Sequence, residues 1–312
     1  MSTLCDIIII GGGPAGMTAA IYGARANLRT AILERRVCGG LVNTTHVVEN
    51  FPSHSRINGE ELMEKVRDQV ESLGVAIHEV VEIESVSLAG DIKTVVTDEG
   101  EFSAPVVILA TGRTPKPLPV ETDCEQVHYC AICDGSAYKG RSVLVVGGGN
   151  SGVEESLYLL SLGVDRIVLI EEMDHLLASE SAQQQLTACS NVEIMTSTRI
   201  QEIRDNGRLE RVFLYDAATD ATLERQVDGI FVYIGQEPKT DLFEGQVDLD
   251  PAGYVLADED RRTSLPGVFA AGDVVGKKYR QIVTAVSDGA IAALAAVEYL
   301  TDRKQKCLET CG

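Results

Sequence analysis

The octapeptide HYCAICDG, residues 128–135, sets Cys130 and Cys133 two residues apart and puts Asp134 and Gly135 directly behind them. A pair at this spacing can hold half of a metal site, staple a loop, or carry electrons as a dithiol that opens and closes. Asp134 is an acid/base beside a thiol if the pair is redox-active, and a turn or helix-cap residue if it is not. His128, two residues upstream of Cys130, reads as incidental. The elements that surround the octapeptide have to decide between these chemistries.

Two glycine-rich turns flank it. In CDIIIIGGGPAGMTAAIYGARANLRTAILE an apolar strand ends at Ile10, and Gly11-x-Gly13-x-x-Gly16 makes the turn, with Ala15 inside it. A helix-period stretch and a second strand ending in Glu34 follow. The glycines allow a tight turn and close approach of a pyrophosphate to a helix N-terminus; Glu34, twenty-one residues after Gly13, would accept hydrogen bonds from a ribose diol. The second turn lies 136 residues on, in RSVLVVGGGNSGVEESLYLLSLGVDRIVLIEE. Val143–Val146 reads as its strand, Gly147-x-Gly149-Asn150-x-Gly152 as its turn, Val153–Leu162 as its helix, and Arg166–Ile170 as the next strand, closed by Glu171 and Glu172. The spacing predicts an internal repeat, an α/β chain with two Rossmann-like three-layer dinucleotide-binding domains. Such a chain usually passes electrons between two dinucleotides, one of them typically a flavin.

Further pieces attach to the first turn. Val106–Gly112 is a strand that runs into the small residues Ala110, Thr111 and Gly112, and PGVFAAGDV sets Gly272-Asp273 after another apolar strand. The segment from Tyr279 to Leu300 reads as a helix of 15 to 20 residues with its N-terminus available to an anion. The first domain is therefore closed by both ends of the chain and the second is inserted in it. The expected boundaries are 1–114 with 243–312 for the outer domain and 115–242 for the insert, with Thr114-Pro115-Lys116-Pro117 as one hinge and a return near Gln236-Glu237-Pro238. The stretch Ile200–Val227, with polar turns at Asp205-Asn206-Gly207 and Ala217–Asp220, reads as an extra hairpin of the insert.

The bulk numbers narrow the class. A length of 312 residues suffices for two cores. A net charge of −20 argues against nucleic acid and against an anionic membrane surface. The run Ile7–Ile10 is too short to span a bilayer, no transmembrane span is expected, and with the fold beginning near residue 5 there is no room for a leader. A cytoplasmic, thiol-reducing setting follows, in which most of the eight cysteines are inert small hydrophobes.

With these residues in view the chain resembles the low-molecular-weight thioredoxin reductases, two-dinucleotide flavoprotein disulfide reductases, over nearly its whole length. The resemblance rests on GGGPAG, VENFP at 48–52, YCAICDG, GGGNSGVEE, PGVFAAGDV and YRQ at 279–281. It implies FAD in the outer domain, a nicotinamide cofactor and the CxxC in the inserted one, thioredoxin as acceptor, and a homodimer. Cys130 and Cys133 would be the relaying dithiol, the first attacking the target and the second facing the flavin, and Asp134 the acid/base. A metal reading lacks a second ligand pair, and a purely structural disulfide in so small a ring would be strained and without use in the cytosol. Matching motifs assign FAD to Gly11, Gly13, Ala15, Gly16, Glu34, Asn50, Thr111, Gly112, Asp273, Arg280 and Gln281. Gly40, in Cys38-Gly39-Gly40-Leu41, stands where the family often has a glutamine near the flavin. Gly147, Gly149, Asn150, Gly152 and Glu171 are assigned to the pyridine nucleotide.

Two departures bear on function. Family members that use NADPH carry arginines where this chain has Glu172, Met173 and Leu177, and Glu171 replaces a histidine. A 2′-phosphate beside these carboxylates meets repulsion of roughly 1–4 kcal/mol per charge pair at about 4 Å, without bidentate donors to offset its desolvation. The expected donor is NADH, with a nucleotide-independent donor such as reduced ferredoxin as the alternative and NADPH disfavoured. Ser136-Ala137 replaces two aromatics, which leaves a small-molecule dithiol oxidase as a lesser alternative. Cys307 and Cys311 are a candidate second thiol pair or inert.

Overall fold

A computed structural model describes residues 2–311, the side chains of 307–311 excepted. Cys307 and Cys311 as a thiol pair therefore lie outside the described residues. Among the described residues six α-helices form: α1 (Pro14–Arg25), α2 (Gly59–Ser72), α3 (Ala131–Asp134), α4 (Asn150–Ser161), α5 (Glu180–Thr187) and α6 (Ile282–Cys311). The chain divides into two compact units, residues 1–114 with 237–312 and residues 115–236. The second crossing falls between Gln236 and Glu237, so the outer unit resumes at 237 and not at the expected 243.

The outer unit is built on five parallel strands in the order Val268–Ala270, Val106–Leu109, Ile7–Ile10, Thr30–Glu34, Ala76–Glu79. Side chains alternate across a strand, and both faces of this sheet are covered, which is why the central strand is four isoleucines without polar interruption. Ile7 and Ile9 enter the core shared with α1, α2 and α6, while Ile8 and Ile10 enter the core under a second sheet containing Val86, Val95 and Phe102. That second sheet runs Ser2–Leu4, Gly100–Ala104, Lys93–Thr97, Ile83–Ser87. Its first strand lies upstream of residue 5, where the sequence places the start of the fold. Ser2–Leu4 is a fully exposed edge strand and so carries no burial pattern to read.

Helix α2 begins where Asn58 accepts from the backbone N–H groups of Glu60 and Glu61, satisfying two otherwise orphaned donors. Helix α6 is 30 residues long, against the 15 to 20 expected; the segment after Leu300 has no glycine or proline before the terminal residue and continues the helix. Its stretch Ile282–Lys306 is long and apolar enough, by length and composition, to cross a membrane. In this fold Ala292, Ala293, Ala296 and Leu300 of that stretch are core residues. Gly289 permits the approach to α1, since a Cβ there would stand 2.1 Å from the carbonyl oxygen of Ala15.

The inserted unit repeats the plan. Five parallel strands run Val127–His128, Gly229–Val232, Ser142–Val146, Arg166–Ile170, Val192–Met195. Val143, Val145, Ile167 and Leu169 face α4 and α5, and Leu144, Val146, Val168 and Ile170 face Ile200, Val212 and Leu214 of the other layer. That layer is a three-stranded antiparallel sheet, Thr198–Asp205, Leu209–Asp216 and Ala221–Arg225, one strand more than the hairpin expected. Both units are Rossmann-type and three-layered.

Candidate active site

The two glycine turns have the same construction. Gly11 has φ +109°, and a Cβ on it would lie 2.3 Å from the carbonyl oxygen of Ala110; Gly147 has φ +111°, and its Cβ would lie 2.4 Å from that of Tyr233. Gly16 and Gly152 let each helix start close to its turn, their Cβ positions being 1.9 Å and 1.8 Å from the oxygens of Gly11 and Gly147. Gly13 and Gly149 are the N-cap residues of α1 and α4, and a Cβ on either would meet nothing within 4 Å. Each turn therefore leaves open space at a helix N-terminus, a seat for a pyrophosphate.

The acidic strand ends match atom for atom. Glu34 accepts from the N–H of Gly12 (2.6 Å) and of Arg36 (2.9 Å). Glu171 accepts from the N–H of Gly148 (2.6 Å) and of Met173 (2.9 Å). A carboxylate has about four lone-pair positions, so two per site remain for hydroxyl donors. Around Glu171 the surface is acidic: Glu172 and Asp174 are exposed, and the guanidinium of Arg199 lies 3.9 Å from Glu172 while resting over the Tyr215 ring. Met173 and Leu177 are exposed. Asn150 is engaged within the protein, its side-chain oxygen accepting from the N–H of Ser179 at the start of α5.

In the outer unit a small crevice opens beside the first turn. Gly11, Glu34, Thr111, Lys239 and Leu242 line it at the carboxyl ends of the strands. The Thr111 hydroxyl donates to the carbonyl of Lys239, and the N–H of Lys239 donates to Gly112, whose φ is +67°. Burial lowers the pKa of Lys239, with Arg35 adding to the effect. Gly40 comes within 3.3 Å of the Cα of Gly13, measured from the position of a Cβ. Ala15 packs against Gly272 and Gly289, a small residue where the two segments close on α1. The Asn50 amide donates to the Gln281 side chain at 3.1 Å. Asp273 keeps a buried oxygen with no hydrogen bond among the described residues, although Lys277 stands 3.4 Å away as a counter-charge. The Nε of Arg280 is also buried with no hydrogen bond among the described residues, its guanidinium lying over Tyr254. Open glycine cradles, an acidic diol acceptor and these buried unsatisfied groups form a polar set that fits a flavin dinucleotide. Lys239 has no motif around it, and only the fold draws it into the crevice.

In the inserted unit Cys130 and Cys133 are joined as a disulfide with an S–S distance of 2.06 Å. Cys130 caps α3, its sulfur accepting from the N–H of Cys133 at 3.1 Å. Cys133 is exposed and Cys130 half-buried. Gly135 lets this turn settle on α4, since a Cβ there would stand 2.8 Å from Leu159. His128, read from the sequence as incidental, is bonded on both ring nitrogens: Nδ1 lies 3.2 Å from the Asp134 carboxylate and Nε2 lies 2.6 Å from the Tyr138 hydroxyl. Those contacts join a strand edge to a turn and have no sequence period, so the chain alone gives no sign of them.

A family profile described as pyridine nucleotide-disulphide oxidoreductase matches residues 5–289. The chain is 40% identical over 299 residues to the "34.2 kDa protein in rubredoxin operon" of Clostridium pasteurianum, covering 95% of this chain and 97% of that one. It is 38% identical over 311 residues to a thioredoxin reductase of Peptoclostridium acidaminophilum, covering 96% and 98%. Its fold superposes on the crystal structure of Lactococcus lactis thioredoxin reductase with a TM-score of 0.88 at 36% identity, covering 96% of this chain and 99% of that one. For the thioredoxin reductase of T. acidophilum the TM-score is 0.87 at 34% identity, covering 95% and 99%. Paired dinucleotide folds, a CxxC disulfide and this likeness place the chain in the pyridine nucleotide-disulphide oxidoreductase family, among the flavoprotein disulfide reductases of thioredoxin-reductase type.

Proposed function

We propose that the chain reduces thioredoxin, taking electrons from NADH and delivering them through the Cys130–Cys133 pair. The observation that carries the donor assignment is the identity of the two acidic acceptors: Glu171 is held by the same two backbone donors as Glu34. Glu171 serves the 2′- and 3′-hydroxyls of NADH as Glu34 serves the ribose of FAD. Glu172 and Asp174 oppose a 2′-phosphate, and Arg199 is already opposite a carboxylate.

FAD would be held by Gly11, Gly13, Gly16, Glu34, Gly40, Asn50, Thr111, Gly112, Asp273, Arg280 and Gln281, with Ala15 keeping the segments close; when bound it supplies two-electron relay between a nicotinamide and a disulfide. Gly147, Gly149 and Gly152 seat the pyrophosphate of the nucleotide, and Asn150 fixes the loop before α5. Reducing Cys130–Cys133 takes two electrons and two protons and yields two thiols. Cys130, as thiolate, attacks a disulfide of thioredoxin and forms a mixed disulfide; Cys133 then displaces the reduced thioredoxin and closes the pair. Asp134 holds the proton that a departing thiolate needs and takes it from a thiol about to attack. In keeping with the resemblance, the working form is a cytoplasmic homodimer.

The test is an anaerobic titration of the flavin-loaded protein, following the flavin absorbance with NADH, NADPH and reduced ferredoxin in turn. Bleaching by NADH, with coupled reduction of thioredoxin, is the expected result. Glu171→Gln should then raise the KM for NADH by about tenfold, in line with a lost charged hydrogen bond. Bleaching by ferredoxin alone would remove the nucleotide from the reaction and leave the second fold as a scaffold. Preference for NADPH would contradict the charge argument.

A further inference from the structure

The octapeptide sits beside a small polar relay. Val127–His128 is an edge strand paired in parallel with Gly229–Val232, and His128 stands opposite Phe231 in that register. The Tyr138 ring fits over Gly229, where a Cβ would lie 2.4 Å from the ring. His128, Tyr138 and Phe231 pack as an aromatic triangle with centroid distances of 5.1, 5.3 and 5.4 Å. The imidazole is thus fixed by packing, and its two nitrogens reach opposite ways, to Asp134 at 3.2 Å and to Tyr138 at 2.6 Å.

The direction of these bonds follows from the partners. A carboxylate only accepts, so Nδ1 must carry a proton to bond Asp134; a hydroxyl can donate, so Nε2 is free to accept from Tyr138. Burial lowers the pKa of His128 more than Asp134 raises it, which favours one ring proton over two. Tyr138 is faced by Asp134, Cys124, Arg141 and Asp228, and burial pushes its hydroxyl up to about 12, so it remains a donor. Farther in, the half-buried Tyr233 is faced by Glu155 and Asp134.

We propose that His128 is a positioning residue: as the neutral tautomer protonated on Nδ1 and anchored by Tyr138, it fixes the carboxylate of Asp134, the residue that follows Cys133. The inference rests on the proton-transfer role given above to Asp134. Without the imidazole donor the carboxylate is free to rotate away from the thiols, and misplacement of an acid/base by about 1 Å lowers rates by up to about a hundredfold.

Two amide replacements separate the two ends of the ring. The amide nitrogen of His128→Asn falls near Nδ1 and keeps a donor for Asp134, whereas that of His128→Gln falls near Nε2 and keeps only the Tyr138 side. In the flavin-loaded enzyme, His128→Gln should slow thioredoxin reduction about tenfold and move the pH profile of that step, while leaving the rate of flavin reduction by the donor unchanged. His128→Asn should restore the rate to within about threefold of the wild type, with the wild-type profile. Equal losses in both variants with an unshifted profile, or no loss in either, would overturn the proposal. The same comparison on enzyme first reduced with a dithiol, reading reaction of Cys130/Cys133 with an aromatic disulfide, needs neither donor nor thioredoxin, so it separates failure here from failure of the functional reading. If both variants lose flavin, the ¹⁵N shifts of His128 in the wild-type enzyme decide. A protonated Nδ1 with a bare Nε2 is expected, and the opposite tautomer would defeat the assignment.

Discussion

Single residues in the inserted unit carry charge that the fold holds under tension. Glu155 on α4 has a buried carboxylate oxygen with no hydrogen bond among the described residues. Burial, and then the neighbouring charge of Glu154, push the Glu155 carboxyl up to about 7 from 4.5. A carboxyl whose folded-state pKa is raised supports the fold fully below about pH 4.5; that contribution fades as the pH climbs through about 7. Glu155→Gln, which cannot ionise, should therefore flatten the stability profile across this window and make the protein more stable than wild type above pH 7. The difference should be on the order of 2 kcal/mol, after allowing for partial solvent access, and urea unfolding at pH 5 and pH 8 measures it. A wild-type profile that is already flat over this window would show that Glu155 ionises freely. His128 teaches the complementary point. An imidazole that reads as a stray residue in the chain has both nitrogens committed in the fold.

Among the elements, helix α1 has the most dependent position. Its first turn forms the open glycine cradle proposed to seat the pyrophosphate, and it is held there by contact with α6 through residues too small to keep the backbones apart. Gly289→Ala would set a methyl group 2.1 Å from the carbonyl oxygen of Ala15, so the two helices must separate. Overpacking of this kind costs about 1–3 kcal/mol. The expected result is a lower Tm together with weaker flavin retention, read by thermal unfolding and by the flavin content of the purified protein. An unchanged Tm would mean that α6 gives way without cost. The length of α6 illustrates how an element's hydropathy misleads in isolation. A stretch apolar enough to pass for a membrane span is a core helix here, with its alanines against the sheet and a buried Asp288 bonded to Arg261 and Lys277.

At the scale of the whole molecule, the outer unit joins segments from both ends of the chain in one fold, with strands 7–10, 30–34 and 106–109 followed, after the insert, by 268–270 and α6. A ligand seated on all of them binds only the folded unit, so it stabilises by mass action. At a hundredfold excess over its Kd, FAD should add about 2.7 kcal/mol to the outer unit and raise its Tm by about 5–10 °C. Calorimetry of the apoprotein with increasing FAD checks this. A transition that does not respond to FAD would argue that these groups do not hold it.

The repeat was legible in the sequence because its causes are local. Four apolar residues, a glycine turn, a helix period and an acidic strand end recur 136 residues apart, and local sterics leave few other ways to fold them. The CxxC pair, Glu34 and Glu171 were legible for the same reason, each lying at a fixed offset from a recognisable turn. Tertiary structure alone decided the partners across segments. Asn50 meets Gln281, the Thr111 hydroxyl meets the carbonyl of Lys239, and His128 bridges Asp134 and Tyr138. It also set the exposed edge strand Ser2–Leu4 against Gly100–Ala104 and turned the apolar face of α6 toward the core. Side-chain period records which face of an element is buried, but it holds no record of which distant segment covers that face.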